Sequence, residues 1–80
     1  MKADKEALQA EEARVKKLRR IMDFTATLLW QADLTLSEAQ KLVADARDRA
    51  LELFPDKGET FDLIYGSRFR RILAERYHLQ

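Results

Sequence analysis

Apolar residues recur along this chain at helical spacing, and polar ones fill the intervals. Val15, Leu18, Ile21, Met22, Thr25, Leu28 and Leu29 fall on one side of a helix with 3.6 residues per turn, and Phe24 sits at the margin of that stripe. A face that wide suits contact with two neighbouring helices. The pattern predicts a first helix from about Ala3 to about Ala32. Its opening dozen residues, 1–12, offer Leu8 and alanines among Asp4, Glu6, Glu11 and Glu12. Acidic groups suit the positive end of a helix dipole. With little apolar surface, this stretch is expected to fray or to project from the body as a helical extension.

Leu8, Val15, Met22 and Leu29 recur every seven residues, but the companion positions are Glu11, Leu18, Thr25 and Ala32. A sustained two-stranded seam needs both sets apolar. Burial within a bundle, inside one chain or between two, is therefore favoured over a coiled coil.

Helix starts and stops divide the remainder. The first helix breaks at Gln31-Ala32-Asp33-Leu34, and Thr35-Leu36-Ser37-Glu38 matches a capping box. A second helix from Leu36 to about Phe54 presents Ala39, Leu42, Val43, Ala46, Ala50, Leu53 and Phe54 on one side. Pro55 ends it, because proline disfavours helical geometry in the preceding residue. Phe54-Pro55-Asp56-Lys57-Gly58 carries turn chemistry, with Gly58 suited to a left-handed conformation. Thr60 is then placed to cap a short helix near 60–65, and Gly66-Ser67 reads as a stop followed by a start. A last helix covers Arg68 to about His78, with Phe69, Ile72, Leu73 and Tyr77 on one side. Phe61, Tyr65, Phe69 and Ile72 stay in phase across Gly66, so one kinked helix is the alternative; the punctuation favours the break. The expected fold class is all-α: a small bundle of three main helices with a short additional helix, forming one domain over residues 1–80.

Four of the seven aromatic residues lie between Phe54 and Phe69. At helical spacing beside Leu and Ile, such rings are expected to fill a core, where each contributes roughly 1.5–3 kcal/mol.

Composition narrows the function. Eighty residues make one small domain at most, and two glycines with one proline favour long uninterrupted elements. The absence of cysteine excludes disulfides and thiolate metal sites, and points toward a reducing interior such as a cytoplasm. The longest nearly uncharged apolar run, FTATLLWQA, is far short of the ~20 residues that cross a bilayer, so no membrane insertion is expected. Fifteen basic against fourteen acidic side chains give a net charge of +1, which supplies no strong whole-molecule field toward nucleic acid or acidic lipid.

Two basic segments stand out locally: Arg14, Lys16, Lys17, Arg19 and Arg20, then Arg68, Arg70, Arg71 and Arg76. Gripping phosphate is one reading of them. They fan over the polar side of their helices, however, and Glu12, Asp23 and Glu75 stand one turn from Lys16, from Arg19 and from Arg71. A solvated surface is the plainer reading, an acidic protein partner the next.

Trp30 points away from the Leu18–Met22–Leu29 stripe near the end of the first helix. Tryptophan is enriched at interfaces, because its ring dominates contact energy while its N–H tolerates a wet rim. The competing reading has the Asp33–Leu34 turn or the last helix folding over it.

Catalysis has little to stand on. His78 is the lone histidine, Ser37 and Ser67 read as helix starters, and no metal-ligand spacing or phosphate loop is present. No enzyme activity, cofactor or metal is expected. The sequence reads as a non-catalytic protein–protein interaction module of unstated process, self-associating as a homodimer through the long first helix. The candidate contacts are Trp30, Phe24, Arg19, Arg20, Arg70 and Arg71. The alternative is an accessory nucleic-acid-binding protein using segments 14–20 and 68–76.

Overall fold

A computed structural model describes the backbone of residues 2–78 and the side chains of residues 4–78. Three helices account for it. Helix α1 is Lys2–Gln31, α2 is Leu36–Leu53, and α3 runs over 58–77 as one rod built from Gly58–Phe61, Asp62–Gly66 and Ser67–Tyr77. There is no strand among the described residues, and the all-α expectation holds.

The capping box opens α2 as the sequence predicts. The Glu38 N–H donates to Thr35 Oγ1 at 3.1 Å, and the Thr35 N–H donates to Glu38 Oε1 at 3.0 Å. Those two bonds satisfy amides that have no partner inside the helix. The short turn that Thr35 closes sends α2 back along α1, and the Pro55 turn sends α3 back along α2. The end of α3 therefore returns to the end of α1. There Arg76 Nε donates to Leu29 O at 3.1 Å and Nη2 to Ala32 O at 2.6 Å, while the Tyr77 hydroxyl donates to Leu34 O at 2.7 Å. Helix α1 has no basic residue in its own last turn. The cation that complements its carbonyl end comes from α3 instead.

Met22, Leu29 and Phe69 are the largest fully buried side chains, joined by Phe61, Ile72 and Leu73. Helix α2 contributes only Ala39, Ala46 and Ala50 to the fully buried set. Small side chains let its backbone approach the other two helices closely, and Leu42, Val43, Leu53 and Phe54 flank them half-buried. Ala26 is also buried, while Phe24, expected to widen the α1 stripe, stands 64% exposed.

Three local expectations are corrected in α3. Thr60 does not start the helix: it begins at Gly58, without a side-chain cap. Gly58 has no left-handed backbone. A Cβ there would lie 3.3 Å from Arg47 Nη2 and 3.5 Å from Leu51 Cδ2, so the glycine serves a close approach to α2. Gly66 and Ser67 do not break the rod. Both hold helical angles, near φ −58°, ψ −44° and φ −62°, ψ −43°. What lies there instead is a π-helical turn over Asp62–Gly66, in which the Ser67 N–H donates to Asp62 O.

The aromatic spacing explains that turn. In a regular α-helix, residues four apart drift by about 40° around the axis, so Phe61 and Phe69 would diverge by about 80°. One wider turn takes up the drift. Phe61, Tyr65 and Phe69 can then share a face, with ring centroids 5.7 Å (Phe61–Tyr65) and 6.4 Å (Phe61–Phe69) apart. The rings of the Phe54–Phe69 stretch thus line the core, Phe61 and Phe69 fully buried and Phe54 and Tyr65 half-buried.

Candidate interaction surface

The described residues extend 52 × 22 × 16 Å. At 1.5 Å per residue α1 is about 45 Å long, whereas α2 and α3 reach about 27 and 30 Å. The excess lies at the start of α1, where every residue from Asp4 to Arg14 is exposed. This projecting stretch is helical, and its side chains are left largely uncovered by the other described residues.

One apolar row links that free stretch to the body. Leu8, Glu11 and Val15 line a shallow depression on α1, and Glu11 and Val15 also border an adjoining groove of about 250 Å³. The groove lies where all three helices meet, with Leu18, Phe54, Phe61, Ile64 and Tyr65 among its walls. Leu8 is 60% exposed and Ile64 59% exposed. Arg14 closes one side, its guanidinium 5.7 Å from the centre of the Phe54 ring. Lys57 and Glu11 also border the groove. The π turn matters here: by keeping Phe61, Tyr65 and Phe69 inward, it leaves Leu63 and Ile64 outside.

A second groove, of about 370 Å³, runs between α1 and α2. Ile21, Phe24, Leu42 and Ala46 are its apolar residues, and Arg20, Asp45 and Arg49 its charged ones. Phe24 and Arg20 therefore share a surface, one turn apart on α1. Trp30 is 45% exposed, so neither the Asp33–Leu34 turn nor α3 covers it fully. Arg19 borders the depression near Leu8. Arg70 donates to Ser67 Oγ at 3.2 Å and lies beside Asp62, on the side of α3 that meets α2. Arg71 and Arg68 are exposed. The two basic segments are thus dealt out to different faces, and Arg76 is engaged with α1 carbonyls.

Among the described residues the one ion pair is Arg47–Asp62, with Nε to Oδ1 at 2.8 Å and a second bond from Nη2 to Oδ2 at 3.2 Å. Both side chains are about half exposed. The Arg47 hydrogen bond, aided by the charges of Arg47 and Arg70, holds the Asp62 carboxyl below its ordinary range. This clasp ties α2 to the π turn. The pairs that sequence spacing allows at Glu12–Lys16, Asp23–Arg19 and Glu75–Arg71 are not closed to ion-pair distance.

Among the described residues no group of three or more His, Asp or Glu side chains could hold a metal ion. None of the helices described is long and apolar enough to cross a membrane. The signal for the Leu8–Ile64 surface was present in the sequence but weak. Ile64 stands about 60° from Phe61 on a regular helix, so periodicity alone turns it toward the core and not toward this surface. Comparison with known proteins finds no family model, no curated protein and no solved structure that matches the chain.

Proposed function

We propose that this protein is a non-catalytic helical interaction module, and that it self-associates through the free half of α1. The observation that carries the reading is the row from Leu8 through Val15 and Leu18 to Ile64: apolar and bordered by charge, with Leu8 and Ile64 more than half exposed and Val15 and Leu18 half-buried between them. A second copy of α1 laid along that row would bury it and enlarge a small core, the ordinary gain of a symmetric dimer. Phe24 and Trp30 lie farther along α1, Trp30 about 33 Å from Leu8. They are candidate contacts for a different protein partner. Nucleic-acid binding is the weaker alternative, because the arginines do not converge on one face.

Sedimentation velocity across the micromolar range tests the proposal. The expected result is a dimer for the native chain and a shift toward monomer for Leu8→Asp, an exposed position where the fold tolerates charge. Trp30→Ala should leave the dimer intact. A native chain that stays monomeric throughout the range would refute self-association.

A further inference from the structure

We infer that the two copies pair with their α1 helices antiparallel, the acidic stretch of one lying over the basic stretch of the other. The inference rests on the self-association reading above and adds its geometry. Charge over residues 4–20 of α1 is segregated in sequence. Residues 4–12 hold four carboxylates (Asp4, Glu6, Glu11, Glu12) against the single Lys5, a net charge of −3. Residues 14–20 hold Arg14, Lys16, Lys17, Arg19 and Arg20 with no acid, a net charge of +5. Among the described residues none of these groups is ion-paired within the chain, since Arg47–Asp62 is the one pair closed to 4.0 Å. Arg14 rests over the Phe54 ring, and the other charged side chains of the two stretches are exposed, so they can meet another molecule.

Orientation decides whether that encounter attracts. In parallel register each stretch would face its own like, −3 against −3 and +5 against +5. A two-fold axis crossing α1 near Ala13 instead places −3 over +5, and symmetry repeats the contact at the other end. It also brings Leu8 of one copy toward Leu18 of the other, so the apolar row is buried in the same arrangement. Exposed ion pairs are individually weak. The net charges of the facing stretches are opposite at both ends of the contact, which is what selects one orientation over the other.

The chain has no cysteine, so Gln31→Cys gives a single spin-label site per copy. Gln31 is uncharged, exposed, and at the far end of α1 from the proposed contact. Double electron–electron resonance on the dimer should give a label separation of about 54 Å, from roughly 18 residues on each side of the axis at 1.5 Å per residue. A separation within about 20 Å in a dimer would overturn the antiparallel arrangement and leave self-association standing; a monomer at all concentrations would overturn both. As a second measurement, Glu11→Lys with Glu12→Lys turns residues 4–12 from −3 to +1. Dimerisation should weaken on the order of tenfold at low salt, the loss shrinking as salt rises. An unchanged dissociation constant would overturn the charge argument.

Discussion

Arg76→Ala removes the contact through which α3 holds the end of α1. The wild-type guanidinium donates two hydrogen bonds, to Leu29 O at 3.1 Å and Ala32 O at 2.6 Å. Hydrogen bonds from a charged donor are each worth about 1.5–3 kcal/mol net. The side chain is only partly buried and water can reach the turn once it is gone, so the loss falls below the combined range of about 3–6 kcal/mol. We expect a loss of about 2 kcal/mol, and a fall in Tm of roughly 10 °C for a domain of this size. Urea titration followed by circular dichroism at 222 nm reads the change as a lower midpoint with the slope unaltered. Arg71→Ala, an exposed arginine about a turn and a half earlier, is the control and should stay within about 0.5 kcal/mol of wild type. Arg76→Lys should recover little, because an ammonium group does not reproduce the planar fork. Tyr77→Phe breaks one neutral bond to Leu34 O and should lose about 1 kcal/mol. Combined with Arg76→Ala, its effect should be less than additive, since both side chains pin the same turn. If Arg76→Ala unfolds at the same urea concentration as Arg71→Ala, the guanidinium bridge is not holding the bundle and the reasoning fails.

Thr35→Ala opens the capping box and should destabilise by about 1 kcal/mol in the same titration; no change would mean the Thr35 hydroxyl is not needed to start α2. Gly66→Ala should stabilise by about 0.5–1 kcal/mol, because the position is helical and its new Cβ meets nothing closer than Arg70 Nη1 at 3.4 Å. A destabilised Gly66→Ala protein would mean the π turn needs the glycine itself. Acid should weaken the fold through two carboxyls whose folded-state pKa lies below the ordinary range. Glu38 is held down first by the Thr35 backbone N–H and then by its hydroxyl, and Asp62 first by the Arg47 hydrogen bond. For groups lowered in this direction the contribution is fully present above the unfolded-state pKa and is lost as pH falls through the folded-state value. The thermal midpoint should therefore hold near neutrality and decline below about pH 4.5. Asp62→Asn should flatten that decline, and an unchanged acid profile would count against the clasp.

Much of the fold is settled by interactions between near neighbours in the chain, and these can be read from residues alone. Thr35 and Glu38 are three positions apart, so their reciprocal bonds follow from local geometry. Pro55 ends α2 by a steric effect on the residue beside it. The periodic apolar residues assign Met22, Leu29, Ala39, Ala46, Phe69 and Ile72 to the interior, since burying one face is the main drive of a small helical domain. The candidate surface was half legible: Leu8 and Val15 stand out as heptad positions, whereas the part that Ile64 plays depends on the π turn.

What the linear order leaves open is every choice made between residues far apart. Gly66 resembles a helix stop until three rings must share one wall; aligning Phe61, Tyr65 and Phe69 outweighs the local signal and draws the chain into one rod. Gly58 is placed by the approach of Arg47 and Leu51 from another helix. Arg76 belongs by composition to a basic cluster, yet the return of α3 carries it to carbonyls 44 and 47 positions away. The sequence by itself determines which segments coil and which faces avoid water, because those terms act within a turn or two. Only the packed structure decides which ends meet, which arginine is structural and which apolar row stays open, because those depend on contacts that exist only once the three rods are side by side.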